Sequence, residues 1–307
     1  METKIKVIGV GGSGSNTISR MMKKKIKGVE LIAINSDAQD LQKTNAHKKI
    51  RIGKKLTEGL GTGMDPEIGK KAAEEQKEEI KQAIEGADMV FITCGLGGGT
   101  GSGASPVIAE IAKNSGALTL AVVTTPFSFE GNQRIRIAEE STKKLKEKVD
   151  TLITISNDKL LEVLEPNTSV LNAFYFCDEI LYQAVQSISD LIVLPGIINI
   201  SFADVKTIMK DSGSALFGIG IAKGEGRAKE AARKALNSPL LNLSCKGAKG
   251  ILFNISGGKD ISLAEIDEAA KIITSEASPS AKIIFGAIKD EKLKKGEIKV
   301  TVIATGF

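Results

Sequence analysis

The glycine-rich segment 95–103 constrains the fold of this 307-residue chain more than any other feature. It reads Gly-Leu-Gly-Gly-Gly-Thr-Gly-Ser-Gly, follows an apolar run and precedes a helical pattern that begins near Ala104. Glycines let the backbone approach an anion without Cβ clashes, and free amides at a helix N-terminus bind phosphate oxygens. The hydroxyls of Thr100 and Ser102 add donors. The segment therefore predicts a phosphate-binding turn between a strand and a helix.

A second loop, Gly9-Val10-Gly11-Gly12-Ser13-Gly14, also lies between a strand-like run and a helical pattern. It satisfies GxGxxG, with Asp37 roughly 20 residues further on, as in dinucleotide-binding Rossmann folds. A tight turn that binds nothing is the alternative. Two such loops would face one edge of one sheet, and together they favour binding of a di- or triphosphate.

Short β-branched runs alternate with helical patterns through the first half of the chain, which indicates a doubly wound parallel sheet. The predicted strands span 5–10, 31–35, 89–93, 118–124 and 151–155. One intervening helix has a clear start, because Asp65 offers an N-cap, Pro66 a first helical residue and Glu67 an acid at the positive end of the dipole.

The pattern changes after residue 157. Segment 171–194 has the apolar spacing of a buried helix, and a smaller α+β region follows. Its predicted strands span 215–221, 250–255, 281–288 and 298–304, and helix 262–275 opens with the capping box Ser262/Glu265. We therefore predict a phosphate-binding domain at 1–170, a connecting helix at 171–195 and a second domain at 196–307.

Composition excludes several classes of protein. The chain is 42% hydrophobic and 26% charged, as in ordinary globular proteins. No apolar run reaches the length of a membrane span, so we expect a cytosolic protein without direct membrane contact. A net charge of +5 with 4% aromatic residues does not favour nucleic-acid binding. Three dispersed cysteines and one histidine, His47, favour neither disulfides nor a metal site.

A family resemblance rests on several motifs. Segment 97–103 matches the GGGTG[ST]G signature of tubulins and FtsZ, and a Walker A lysine is absent. The chain resembles the FtsZ family of bacterial cell-division proteins over essentially residues 4–307. Further matching segments are 35–39 (NSDAQ), 59–63 (GLGTG), 126–131 (PFSFEG), 157–160 (NDKL) and 202–209 (FADVKTIM).

The resemblance implies a GTP site in the first domain. Glu130 and Arg134 would bind the ribose and phosphate region, Phe174 would stack on guanine, and Asp178 would accept hydrogen bonds from guanine N1–H and N2–H₂. Such a carboxylate would face an acceptor on adenine. The remaining implied nucleotide ligands are Gly11, Gly12, Ser13, Gly14, Ser15, Asn16, Asn35, Asp37, Gly97, Gly98, Gly99, Thr100, Gly101, Ser102 and Asn157.

The resemblance also implies that loop 196–204 acts on the nucleotide of a neighbouring subunit. Asn199 and Asp204 match the family pattern N-x-D-x-x-[DE], and Ser201 stands where the first acid belongs. Asp204 would orient and polarise the attacking water. Ser201 and Asp204 also fit a capping pattern for helix 202–209, which would divert part of the carboxylate and slow hydrolysis.

These features predict a GTPase that polymerises head-to-tail and forms the cytokinetic ring scaffold at the division site. GTP or GDP is the expected nucleotide, with Mg²⁺ on the phosphates and no dedicated metal cage. Expected partners are further copies of the chain and accessory division proteins, although the family's C-terminal docking peptide is missing after Phe307. Two alternatives remain: a GTP-dependent scaffold with very slow or absent hydrolysis, and, more remotely, a Rossmann oxidoreductase.

Overall fold

The computed structural model describes residues 3–26, 28–162, 164–165, 167–194, 196–237, 245–258, 260–290 and 293–307. The chain forms two compact units, Met1–Gln186 and Ser187–Phe307. The division falls within the long helix Val170–Val193, which contains most of the segment predicted as a connecting helix.

The first unit contains a parallel sheet with helices between its strands. Its strand order is β3-β2-β1-β4-β5-β6, so strand β1 lies between β2 and β4, with Ile5 opposite both Val29 and Met89. The strands are β1 Ile5–Val10, β2 Val29–Asn35, β3 Lys48–Arg51, β4 Met89–Gly95, β5 Leu118–Thr125 and β6 Thr151–Ser156. The helices are α1 Gly11–Lys24, α2 Ala38–Lys43, α3 Pro66–Glu75, α4 Lys77–Ile84, α5 Gly99–Asn114, α6 Asn132–Lys146, α7 Asn157–Leu161 and α8 Val170–Val193.

The predicted doubly wound sheet is confirmed, and the sequence explains its burial. Strands β1, β4 and β5 are buried almost throughout because helices cover both faces of a parallel sheet. Helix α3 begins as expected: the Asp65 carboxylate accepts a hydrogen bond from Glu67 N at 2.8 Å, and Pro66 follows the cap. Strand β3, of sequence Lys-Lys-Ile-Arg, was not predicted.

The second unit contains a mixed sheet of order β7-β10-β8-β9. Strand β10 is antiparallel to β7 and β8, whereas β8 and β9 are parallel. Helix α11 begins with the predicted capping box, in which Ser262 N donates to Glu265 Oε2 at 2.9 Å. The elements are α9 Phe202–Met209, β7 Gly213–Lys223, α10 Arg227–Leu236, β8 Gly250–Gly257, α11 Leu263–Ser275, β9 Lys282–Lys289 and β10 Glu297–Thr305.

Each unit has its own apolar core. The first centres on the central strands and the inner faces of α3 to α6, and the second on α10, α11 and the sheet beside them. In the described part of the chain, no helix combines the length and apolar character needed to cross a bilayer.

Candidate functional site

The first unit holds a cavity of about 270 Å³ at the carboxyl ends of its strands. Val10 at the end of β1, Gly95 at the end of β4, Thr124 near the end of β5 and Asn157 just after β6 all contribute to its wall. Ligands of open α/β sheets bind at this edge, because the loops and helix N-termini that follow the strands meet there.

Two helices direct their N-termini at this cavity. Helix α1 starts at Gly11 after Val10, and helix α5 starts at Gly99 after Gly98; neither N-cap residue makes a side-chain cap hydrogen bond. Neither first turn contains an acidic residue, so the positive ends of both dipoles remain unneutralised by a side chain. Such a pair of helix ends provides a strong site for an anion with several oxygens.

The glycines of the two loops serve different purposes. Gly14 and Gly101 are required by packing, since an added Cβ would lie 2.6 Å from the backbone carbonyl carbon of Gly9 and 2.6 Å from Gly95 O, respectively. Gly98, by contrast, lines the cavity, and apart from its chain neighbours no atom lies within 4 Å of the position that a Cβ would occupy. The open space beside Gly98 is therefore available to a ligand.

Two hydroxyls of the α5 loop have different surroundings. Thr100 lines the cavity, and its Oγ1 lies 2.7 Å from Ser36 Oγ and 3.3 Å from Thr62 Oγ1. Ser102 is buried, and its Oγ accepts a hydrogen bond from Gly97 N at 2.9 Å. Ser102 therefore closes the loop on itself, while Thr100 faces the ligand space.

A carboxylate, a guanidinium and an aromatic ring also line the cavity. Glu130 Oε1 accepts a hydrogen bond from Phe127 N at 2.9 Å, and its Oε2 lies 3.2 Å from Arg134 Nη1. The Arg134 side chain is 40% exposed, so part of its guanidinium remains open to a ligand. Phe174, also 40% exposed, packs edge-on against the buried Phe127 ring at a centroid distance of 5.4 Å.

Asn157 supplies an unsatisfied acceptor. The residue is 5% exposed and lines the cavity, and its Oδ1 has no hydrogen-bond partner among the described residues. A buried amide oxygen without a donor costs free energy, and a ligand hydroxyl or amine would remove that cost.

Asp178 is the buried acid of the site. Its side chain is 14% exposed; Thr17 Oγ1 lies 3.4 Å from its Oδ1, and Arg20 Nη2 lies 3.6 Å from its Oδ2. Burial raises the pKa of Asp178 to about 6, against the opposing effects of the Arg20 charge and the Thr17 hydroxyl. Hydrogen-bond donors from a ligand would therefore stabilise the ionised form of this carboxyl group.

Most of the residues implied by the family resemblance meet at this cavity. They are Gly11, Gly12, Ser13, Gly98, Gly99, Thr100, Gly101, Glu130, Arg134, Asn157, Phe174 and Asp178. The structure does not place the others in its wall: Gly14, Ser15, Asn16, Asn35, Asp37, Gly97 and Ser102. Asn35 and Asp37 stabilise the β2–α2 turn, where Asn35 Oδ1 accepts from Asp37 N at 3.2 Å and Asp37 Oδ1 from Asp40 N at 3.0 Å.

Sequence reasoning missed several wall residues, namely Val10, Thr62, Gly95, Leu96, Thr124, Pro126 and Cys177. Thr62 and Pro126 belong to segments that matched the family, so their position in those motifs was a usable signal. Cys177 gave no signal; burial raises the pKa of its thiol to about 12, and it contributes apolar surface.

The cavity presents the kinds of group that bind a nucleotide. Two uncapped helix ends suit a phosphate chain, the exposed face of Phe174 suits a base, and Asp178 and Asn157 Oδ1 are acceptors. Within the described ranges, no group of three or more His, Cys, Asp or Glu side chains is arranged to hold a metal ion.

Loop 196–204 of the second unit is held by its own hydrogen bonds. Ile198 and Ala287 of β9 exchange two backbone hydrogen bonds, each of 3.1 Å. Asn199 Oδ1 accepts from Gly196 N at 2.6 Å, so this side chain closes a turn within the loop.

Ser201 and Asp204 form the capping box that their spacing predicted. Asp204 Oδ2 accepts from Ser201 N at 2.9 Å and from Ser201 Oγ at 2.6 Å. These hydrogen bonds lower the pKa of Asp204, the side-chain bond contributing most. Both bonds end on Oδ2, and among the described residues no hydrogen bond reaches Oδ1 of Asp204.

Comparisons with known proteins agree with this geometry. The GTPase domain of the Tubulin/FtsZ family matches residues 4–165, and the C-terminal domain of the FtsZ family matches residues 213–307. A solved FtsZ dimer from the archaeon M. jannaschii is 50% identical, with a TM-score of 0.95 over 100% of this chain and 89% of that one.

A more distant structure, the GDP-bound CetZ1 monomer from Haloferax volcanii, is 21% identical with a TM-score of 0.86, covering 99% of this chain and 94% of that one. At this identity it supports the fold alone. The family match replaces the oxidoreductase alternative, and the similar FtsZ structure is archaeal rather than bacterial. The chain belongs to the Tubulin/FtsZ family, and it is a GTP-binding, filament-forming cell-division protein of the FtsZ type.

Proposed function

We propose that this chain hydrolyses GTP slowly, with the nucleotide held in the first unit of one subunit and Asp204 supplied by the next subunit in a head-to-tail filament. A heterologous contact whose rotation does not close propagates into a filament. The expected location is the cytoplasm at the division site, with accessory division proteins as further partners.

In this proposal, different groups of the cavity bind the phosphates, the ribose and the base of the nucleotide. The amides at the starts of α1 and α5 bind the phosphates, Glu130, Arg134 and Asn157 hold the ribose and adjoining phosphate, and Phe174 and Asp178 bind guanine. An ionised Asp178 accepts from guanine N1–H and N2–H₂ but would meet an acceptor on adenine, so it selects GTP over ATP. Mg²⁺ would be carried by the phosphates and would neutralise charge on their oxygens.

The state of Asp204 carries the proposal of slow hydrolysis. Phosphoryl transfer depends on positioning and electrostatics, so a fixed, ionised carboxylate can orient the attacking water. The capping box fixes Asp204 through Oδ2 and leaves Oδ1 open for that water. The same hydrogen bonds lower its pKa and make it a weaker base, and Ser201 lacks the second negative charge of the family pattern.

The alternative is a GTP-dependent scaffold that assembles without hydrolysis. It is favoured by the same hydrogen bonds, since Ser201 occupies Asp204 and contributes no charge of its own. The two interpretations differ in whether the remaining carboxylate oxygen is sufficient for chemistry.

The test is GTP turnover measured together with polymer sedimentation for the wild type and Ser201→Asp. Aspartate is also a good N-cap, so helix α9 is retained while the missing charge is restored. We expect both proteins to sediment with GTP and Ser201→Asp to hydrolyse it several-fold faster. The matched control is Ser262→Asp, the same change in the capping box of α11, which should leave turnover unchanged.

Polymer without measurable turnover in the wild type would establish the scaffold alternative. A turnover that Ser201→Asp and Ser262→Asp change equally would show that the charge acts at long range rather than in the 196–204 loop.

A further inference from the structure

One face of helix α1 packs against one face of helix α8 behind the nucleotide cavity. The contact joins residues three and four apart on each helix, the spacing at which side chains share a face. The residues involved are Thr17, Arg20 and Lys24 on α1 and Tyr175, Asp178, Glu179 and Tyr182 on α8.

The two cations on this face of α1 share one acidic partner, Glu179, and Arg20 also reaches Asp178. Lys24 Nζ lies 2.6 Å from Glu179 Oε1, a close ion pair at a partly exposed position. Arg20 lies deeper, and its two terminal nitrogens are each 3.6 Å from a carboxylate oxygen, one on Asp178 and one on Glu179. Among the described residues, Arg20 is the cation that forms an ion pair with Asp178, whereas the ion pair of Lys24 is with Glu179.

The hydrogen bonding of the Arg20 guanidinium is incomplete. Its contacts of 3.6 Å are longer than hydrogen bonds, and its buried Nε has no hydrogen-bond partner among the described residues. The guanidinium is held by the Tyr175 ring, whose centroid lies 3.4 Å from Arg20 Cζ. Burial of an incompletely bonded guanidinium costs free energy, whereas the field of such a charge on a buried neighbour is strong.

We propose that Arg20 is a positioning residue for base recognition, which holds Asp178 in its ionised, accepting form and so determines the preference for guanine. The inference rests on the proposed role of Asp178 as the guanine acceptor. Arg20 does not line the cavity, whereas Asp178 does, so in this proposal Arg20 acts through the carboxylate.

The surroundings of Asp178 explain why such support is needed. Burial raises its pKa to about 6, and the Arg20 charge is the largest effect in the opposite direction. Loss of Arg20 would raise this pKa further, and a protonated carboxyl group cannot accept hydrogen bonds from both guanine donors. The charged and titratable groups around Asp178 lie on three elements: Arg20 and Lys24 on α1; Tyr175, Cys177, Glu179 and Tyr182 on α8; and Glu130 and Arg134 in the cavity wall.

The experiment compares GTP with inosine triphosphate, which keeps N1–H but lacks the guanine 2-amino group. The ratio of their dissociation constants is measured at pH 7.0 and 8.5 for the wild type, Arg20→Gln, Arg20→Lys and Lys24→Gln. Both nucleotides carry the same phosphates, so phosphate titration and small losses of folded protein cancel in the ratio.

We expect the wild type to prefer GTP by about tenfold, the effect of one hydrogen bond to a charged group. Arg20→Gln should reduce this preference about threefold at pH 7.0 and recover it at pH 8.5, because the carboxyl group ionises again at the higher pH. Arg20→Lys retains the charge and should stay close to wild type. Lys24→Gln removes a charge from the same helix face and should leave the ratio unchanged.

The inference would be overturned if Arg20→Gln kept the wild-type preference for GTP at pH 7.0, or if it lost the preference equally at both pH values. A loss of preference in Arg20→Lys as large as that in Arg20→Gln would also overturn it. A wild type without preference for GTP over inosine triphosphate would instead overturn the proposed role of Asp178. Circular dichroism and thermal midpoints identify any variant that fails to fold. If Arg20→Gln fails to fold, the test is made on the wild type alone, whose preference for GTP must fall as the pH is lowered to 5.5.

Discussion

The cavity of the first unit and the 196–204 loop of the second unit use an acidic residue in opposite ways. Asp178 is buried and its pKa is raised to about 6 by that burial. Asp204 is partly exposed and its pKa is lowered by two hydrogen bonds from Ser201. The surroundings of Asp178 disfavour its charged form, and those of Asp204 stabilise it.

The difference indicates where a ligand is needed. The cavity contains polar groups that the fold leaves unsatisfied, including Asn157 Oδ1 and the uncapped starts of α1 and α5. The 196–204 loop satisfies its polar side chains within itself, through Asn199 and the Ser201–Asp204 box. We therefore expect nucleotide binding to stabilise the first unit directly, whereas the loop is already formed by its own hydrogen bonds.

The largest expected effect comes from Asp204→Ala. Loss of a group that orients or deprotonates water lowers turnover by about a hundredfold or more. Steady-state GTP hydrolysis at saturating protein should show this decrease, while the affinity of the monomer for GTP is unchanged. Asp267→Ala removes an exposed carboxylate of α11 in the same unit and is the control. Equal turnover in Asp204→Ala and wild type would assign the water to another group.

Gly98→Ala should weaken nucleotide binding without weakening the fold. The methyl group would enter open space in the cavity wall, where the phosphates are proposed to lie. GTP affinity measured by titration should fall about tenfold or more, and the thermal midpoint of the unliganded protein should not decrease.

Gly103→Ala provides the contrast to Gly98→Ala, since its methyl group would overlap the backbone carbonyl oxygen of Pro66. Such overpacking should destabilise the fold by roughly 1–3 kcal/mol, which urea unfolding of the unliganded protein measures. A normal GTP affinity in Gly98→Ala would place the phosphates elsewhere.

The sequence predicted the architecture well where local signals were strong. Apolar β-branched runs predicted strands β1, β4 and β5 because they are buried on both faces, and cap residues predicted the starts of α3, α9 and α11. Strand β3 was missed because Ile50 is its one buried residue and lysines precede it. Its position at the edge of the parallel sheet depends on pairing with β2, which no local pattern specifies.

The site was predicted less evenly, for a related reason. Motif residues next to the phosphate loops reached the cavity, but Asn35 and Ser102 bond within their own turns. Cys177 lies in the wall because of the way α8 packs. Apolar spacing predicted this helix, but it could not show which of its residues reach the cavity. The capping box of Ser201 and Asp204 followed from spacing, but spacing could not show that both hydrogen bonds share Oδ2.

The raised pKa of Asp178 predicts a pH dependence of GTP affinity. An ionised carboxylate accepts from both guanine donors and a protonated carboxyl group does not, so affinity should be constant above about pH 7 and fall as pH drops through about 6, reaching roughly a fivefold loss at pH 5. Titrations of GTP between pH 5 and 8 measure this. Asp178→Asn lacks the titrating group, so its residual pH dependence reports the phosphates and is subtracted. Identical profiles for the two proteins would contradict an ionised acceptor at this position.

The smallest expected effect is the change in stability caused by Ser201→Ala. Loss of an N-cap hydroxyl costs about 0.5–2 kcal/mol. Asp204 would also return towards its ordinary pKa. A carboxylate with a lowered pKa stabilises the folded state above its unfolded pKa and loses that contribution as pH falls through the folded value. The difference in the free energy of unfolding between wild type and Ser201→Ala has a part that depends on the ionisation of Asp204. This part should be full at pH 7 and shrink below about pH 4. Urea unfolding at pH 7 and below about pH 4 measures the difference, and an unchanged difference at low pH would show that the hydroxyl stabilises α9 without the charge of Asp204.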